Sequence, residues 1–185
     1  MEIVSTMGVG SLEREINLEA VVAEIRNHVG DQVEADFQSN GMATIRFESG
    51  SPAYSLYRTG TFQIRGAKTA RRLEVAADRF EAVIEEIGVE DVEFSFRQVT
   101  SVFMHDLGEE VNLEALALTL GLERTEYEPE QFPGLIYRPP GFDVTLLVFA
   151  SGKVIIGGAI ESSTAEAAIQ HLEAERSAVR SGRAK

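Results

Sequence analysis

The chain has 185 residues, 44% of them hydrophobic, enough for one large domain or two small ones around a real core. It contains no cysteine, which excludes disulfides, thiolate chemistry and cysteine-ligated metals. Its formal net charge of −13 argues against a purely electrostatic grip on nucleic acid, while leaving open a mode built on apolar contact and shape.

In chain order, "EIVST" (2–6) opens as a short β-rich stretch. In "MGVGS" (7–11), Gly8 and Gly10 lack the third glycine of a phosphate loop and read as a turn. Leu18, Val21, Val22 and Ile25 follow at helical spacing, with Asn17 as cap. "MATIRF" (42–47), "AYSLY" (53–57) and "TFQIR" (61–65) alternate with period two, as strands do. A long helix starts at Thr69 and closes this half.

The second half repeats the order. "FSFRQVTSVF" (94–103) is β-rich, and Asn112 caps a helix carrying Leu113, Leu116 and Leu118. Strands follow in "GLIYR" (134–138), "DVTLLVF" (143–149) and "KVIIGG" (153–158). The last helix has Ser163 or Thr164 as cap, and "RSGRAK" (180–185) reads as a frayed basic tail.

The halves also match in sequence. "INLEAVVAEI" (16–25) resembles "VNLEALALTL" (111–120), and "YRTGTFQIRGA" (57–67) resembles "FASGKVIIGGA" (149–159). Two matches in register point to a duplicated unit, residues 1–92 and 93–185, each β-α-β-β-β-β-α. Hairpin strands and separate helices predict an α+β fold: an antiparallel sheet covered by helices on one face. On the open face, Leu147, Phe149 and Ile155 share one side, and Phe132 stands exposed at a turn in "EPEQFPGLIYRPP" (128–140). Such an apolar patch marks a binding surface or a subunit contact.

"YEPEQFPGLIYR" and "FASGKVIIGGA", with "VNLEALALTL" and the two-repeat layout, resemble the second repeat of the TATA-box-binding protein family, archaeal type. The resemblance spans nearly the whole chain and is specific in its second half. It implies a saddle with a curved antiparallel sheet, helices on the convex face, and a concave face that sits in the DNA minor groove and bends the duplex. Phe132 and Phe149 match the family's wedge pair, Leu147 and Ile155 its apolar groove contacts, and Arg138 and Lys153 its phosphate contacts. Thr100, Val102 and Val4 on the central strands complete the expected DNA-binding set, with Tyr57 as the first repeat's wedge. Glu128, Glu130 and Gln131 lie on the loop that in the family engages transcription factor B. A core role for Phe149, a solvated strand end for Arg138 and a plain charged turn for the acidic loop are the competing readings.

The first repeat departs from the pattern. Ser39 or Asn40 stands where a second wedge belongs, with Phe37 two or three residues early. Gln63 and Arg65 replace groove-facing apolar residues, and Thr59-Gly60-Thr61 replaces the family's Ser-Gly-Lys turn. The family's two central asparagines read Glu2 and Thr100. The sequence therefore predicts a divergent transcription initiation factor with promoter DNA and transcription factor B as partners, self-association without DNA, and no cofactor. The competing reading is a protein-interaction module without stable DNA contact. An enzyme is disfavoured, since His28, His105 and His171 have no metal-ligand spacing.

No run has the apolar length of a membrane span and the N-terminus does not read as a signal peptide, so the expected location is the cytoplasm, at the nucleoid. Only Lys68, Lys153 and Lys185 are lysines, and acidic residues abound. That balance fits a halophile, whose molar salt shortens the Debye length to roughly 3 Å. An ordinary acidic protein is the alternative.

Overall fold

The computed structural model describes residues 1–89 and 92–182. Its elements run β1 (Glu2–Ser11), α1 (Leu18–Val29), β2 (Glu34–Gln38), β3 (Met42–Arg46), β4 (Ala53–Tyr57), β5 (Thr61–Ala67) and α2 (Ala70–Glu86). Then come β6 (Ser95–Asp106), α3 (Leu113–Leu120), β7 (Thr125–Glu126), β8 (Gly134–Tyr137), β9 (Thr145–Phe149), β10 (Lys153–Gly157) and α4 (Ser162–Gly182). The order β-α-β-β-β-β-α thus occurs twice, in an α+β fold.

Two compact units result. The N-terminal unit is Ser5–Val99, and the C-terminal unit joins Met1–Val4 to the chain from Thr100 onward. The long strands β1 and β6 each lend one end to each unit. Strand order is β2-β3-β4-β5-β1-β6 in the first and β1-β6-β10-β9-β8-β7 in the second. The hairpins β2–β5 and β7–β10 are antiparallel.

Local chemistry explains the boundaries. Asn17 Oδ1 accepts from Ala20 N at 2.9 Å, and Asn112 Oδ1 from Ala115 N at 2.9 Å, satisfying donors left open at the helix starts. Thr69 does the same for Arg72 N at 3.1 Å. α1 and α3 end at Gly30 and Gly121, whose N–H groups bond Arg26 O and Ala117 O. The last helix begins earlier than expected, at Ser162, so Ser163 and Thr164 lie in its first turn. It continues to Gly182, through much of the expected basic tail; residues 183–185 lie outside the described residues.

Strand alternation sends one side of each hairpin into a core. In the N-terminal unit, Ala43, Ile45, Tyr54, Leu56, Phe62 and Ile64 meet apolar residues of α1 and α2. The Phe80 ring lies 5.1 Å from Tyr54 and 4.9 Å from Phe62, and Phe47 stacks on Tyr54 at 4.6 Å. Such pairs add roughly 0.5–1.5 kcal/mol each beyond the area they bury. The C-terminal core is mostly aliphatic, with Leu135, Leu146, Val148, Val154 and Ile156 against α3 and α4, beside the buried Phe103 and Tyr137. Leu118, five residues after Leu113 and two after Leu116, falls on the opposite face and is 73% exposed; Ala117 and Leu120 take the buried positions.

Gly8 and Gly10 do not form a turn but lie within β1. A Cβ on Gly8 would come 2.2 Å from Phe96 Cζ, and one on Gly10 2.2 Å from Phe62 Cζ. The glycines are seats for aromatic rings. Among the described residues, no helix is long and apolar enough to cross a membrane.

Candidate nucleic-acid interface

The strand faces turned away from the helices carry the site. In the C-terminal unit, register places Ile136 opposite Leu147, Leu147 opposite Ile155, and Ile155 opposite Met104. All four are half-buried, and together they form one apolar row across β8, β9, β10 and β6. Leu147 and Ile155 were expected there. Met104 and Ile136 were missed, although the alternation of Val102 and Phe103 in β6 already carried the signal for Met104.

Phe149 pairs with Gly134. Phe132 sits over that glycine: a Cβ there would come 2.7 Å from Phe132 Cε1. The Phe132 and Phe149 rings meet edge to face, 5.8 Å between centroids. Phe132 is therefore half-buried rather than the free loop tip that the sequence suggested, because Gly134 lets its ring fold down beside Phe149. The preceding turn is tight. Gln131 N and Phe132 N both donate to Glu128 O at 2.9 Å, and the Gln131 amide also bonds the Glu128 carboxylate. Glu128, Glu130 and Gln131 are exposed. A hollow of about 200 Å³ lies between this turn and the row, lined by Glu126, Glu128, Gln131, Phe132, Gly134 and Ile136.

Two cations sit at the ends of the strands. Arg138 donates Nη1 to Glu126 Oε1 at 2.7 Å, an exposed pair. Lys153 is exposed beside the β9–β10 turn, across from Asp106. On β6, Thr100 donates its hydroxyl to Ser101 O at 3.3 Å, and Val102 lies half-buried two residues before Met104.

The N-terminal unit has the same frame with different chemistry. Its row is Thr44–Ser55–Gln63–Val9, fixed by the same register. Arg65 donates Nη2 to Ser55 Oγ at 2.9 Å, so Ser55 is covered and fully buried. Tyr57 pairs with Met42 as Phe149 pairs with Gly134. Counting two residues back puts Asn40 where the other unit has Phe132. Phe37 does not substitute, because it pairs with Ala43, whose side chain lies in the helix-side core. A slip by one residue changes faces in a strand. The β4–β5 turn keeps its glycine: Gly60 has φ 80° and Gly152 has φ 85°, and each donates its N–H to the carbonyl of Tyr57 or Phe149. Thr59 and Thr61 bond each other there at 2.8 Å, in place of a lysine.

Matched hydrogen bonds relocate two positions on β1. Thr6 Oγ1 donates to Ala67 O, and Ser101 N donates to Ala159 O, the corresponding carbonyl of the other unit. Ser5, not Glu2, is therefore the counterpart of Thr100, and Met7, not Val4, that of Val102. Val4 is half-buried, and Ile3 beside it packs against the C-terminal core. The 95-residue offset that pairs Asn17 with Asn112 gives the same counterparts. The histidines are engaged one by one: His28 with Glu86, His105 with Glu173 and His171 with Tyr137. Among the described residues, no cluster of three His, Asp or Glu side chains could hold a metal ion.

The profile of the family described as "Transcription factor TFIID (or TATA-binding protein, TBP)" matches residues 1–87 and 95–174. The chain belongs to that family. It is 36% identical to TATA-box-binding protein C of Halobacterium salinarum over 95% of its own length and 96% of that protein's. It is 34% identical to TATA-box-binding protein 1 of Haloferax volcanii, covering 90% of this chain and 85% of that one. The solved structure of Methanococcus jannaschii TBP superposes with a TM-score of 0.74 at 30% identity, over 95% of this chain and 98% of that one. This is an archaeal-type member of the TATA-binding protein family.

Proposed function

We propose that this protein is a transcription initiation factor that binds promoter TATA-box DNA in the minor groove, bends it and recruits transcription factor B. The observation that carries this reading is the apolar row Ile136–Leu147–Ile155–Met104 ending in the Phe132–Phe149 pair. An apolar surface suits the floor of an A·T minor groove, which offers only two acceptor types and no amino group. Two rings packed edge to face at its end are the right size to enter a base step, where unstacking costs a few kcal/mol and needs such contact to offset it. Arg138 and Lys153 flank the row at positions suited to phosphates, which set register and orientation without reading sequence.

Residues 1–92 and 93–185 are then two repeats of one unit, the first degenerate for wedging. Glu128, Glu130 and Gln131 offer a rigid acidic turn to a basic protein surface, the role for transcription factor B. Acid-rich, lysine-poor composition supports work at high salt, and the location that follows is cytoplasmic, at the nucleoid. Without DNA, the apolar row favours self-association into a homodimer.

Energy transfer across a TATA-box duplex labelled at both ends, in molar KCl with and without transcription factor B, tests this. Binding with a bend supports the full reading. A complex only when transcription factor B is present places the function in the acidic turn. No complex in either condition sinks the reading.

A further inference from the structure

The two rows occupy equivalent places but differ in what they can hydrogen-bond. In the C-terminal unit all four positions are apolar. In the N-terminal unit Thr44, Ser55 and Gln63 are polar, and Arg65 reaches over Ser55. Ser55 is buried beneath the guanidinium, so Thr44, Gln63 and Arg65 are what this face presents. Among the described residues, no side-chain hydrogen bond engages the Gln63 amide.

In the minor groove, A·T and T·A show only the adenine N3 and thymine O2 acceptors, whereas G·C adds the guanine N2 amino donor. An apolar row leaves that amino group buried without a partner, and a mismatched pair of this kind commonly costs about 5- to 140-fold in affinity. Gln63 Oε1 and Thr44 Oγ1 are acceptors for it. The Gln63 amide N–H and the free N–H groups of Arg65 are donors for the N3 and O2 acceptors that remain.

We propose that the N-terminal unit reads its half of the site by hydrogen bonding and accepts a G·C pair there, with Gln63 as the principal specificity residue. The inference rests on the DNA-binding reading above. The protein would then prefer a mixed site: A·T base pairs under the C-terminal row, and A·T or G·C under the N-terminal one.

The test uses three duplexes: an all-A·T box, the box with one G·C pair in one half, and the box with a G·C pair in each half. The proposal expects the protein to take the orientation that places a single G·C under its N-terminal unit. The expected result is less than about a threefold loss for one G·C pair and at least about a tenfold loss for two. In the variant Thr44→Ile/Gln63→Ile, which restores the apolar row, one G·C pair should already cost about tenfold relative to the same variant on the all-A·T box. Thermal melting of the variant checks that it folds, and Gln63→Leu, which removes both the acceptor and the donors at similar size, is the second variant if it does not. An equal loss at the first and second G·C pair overturns the proposal while leaving the TATA-binding reading intact. So does tolerance that survives the substitutions. Failure to bind even the all-A·T box overturns both.

Discussion

At the residue scale, the difference between the two units comes down to the pairs Gly134 with Phe132 and Met42 with Asn40. Gly134 is needed because the Phe132 ring occupies the space of its missing side chain. Met42 fills the same space in the N-terminal unit and is itself buried beside Tyr57. Substituting Gly134→Met should push Phe132 off its seat and weaken TATA-duplex binding by about tenfold or more, since the lost wedge contact no longer offsets unstacking. Titration of the variant against the labelled duplex checks this; unchanged affinity would show that Phe132 needs no seat. The sequence singled out Phe132 before Pro-Gly and Phe149 before Ala-Ser-Gly, and the structure brings the two rings together. It did not reveal that Asn40 alone occupies the vacant wedge position, since Phe37 is close by and only pairing with Ala43 shows which face it takes. Tyr54 gives a second residue-level prediction. Burial pushes its phenol up to about 12, and its hydroxyl donates to Ala76 O at 3.1 Å. A raised folded-state value means that the folded form holds the proton more tightly, so the contribution is intact below pH 10 and is lost as pH rises toward 12. Denaturant midpoints measured from pH 8 to 12 should fall over that window, by of order 2 kcal/mol, and Tyr54→Phe should flatten the fall.

At the element scale, caps and turn glycines hold the two copies to one frame. Asn17→Ala and Asn112→Ala should each cost about 1 kcal/mol in chemical denaturation, because each strips a partner from a helix-start donor. Gly152→Ala should cost more, about 2 kcal/mol or above, from left-handed backbone and close approach together. Its Cβ would come 2.2 Å from Glu109 O, at φ 85°. The same denaturation series reads both effects, and a Gly152→Ala variant as stable as the parent would contradict the account of the turn. Helices and hairpins were readable because capping residues and two-residue alternation are local signals. β1 was not, since its glycines look like a turn until Phe62 and Phe96 are seen lying on them. Position along β1 was also misjudged, although the 95-residue offset between 16–25 and 111–120 already pairs Ser5 with Thr100.

At the scale of the whole molecule, a chain of net charge −13 that binds DNA does so with few cations at its open face. Arg138, Lys153, Arg65 and Arg46 are among the ones the strands place there. The salt dependence of binding should therefore be shallow, with a slope of about −0.9 in log–log form for each phosphate neutralised. Arg138→Ala should reduce that slope by about 1, as measured by titrations across a KCl series. The duplicated architecture was legible from two sequence matches in register. The unequal division of labour was legible only in part, because the polar row of the N-terminal unit becomes a row only when register aligns Thr44, Ser55, Gln63 and Val9. That asymmetry is the centre of the account. The most direct test compares two double variants on one TATA duplex, Phe132→Ala/Phe149→Ala and Asn40→Ala/Tyr57→Ala. The account predicts a loss of about 30-fold or more for the first pair and less than about fivefold for the second. Equal losses, or a larger loss for the second pair, would contradict it.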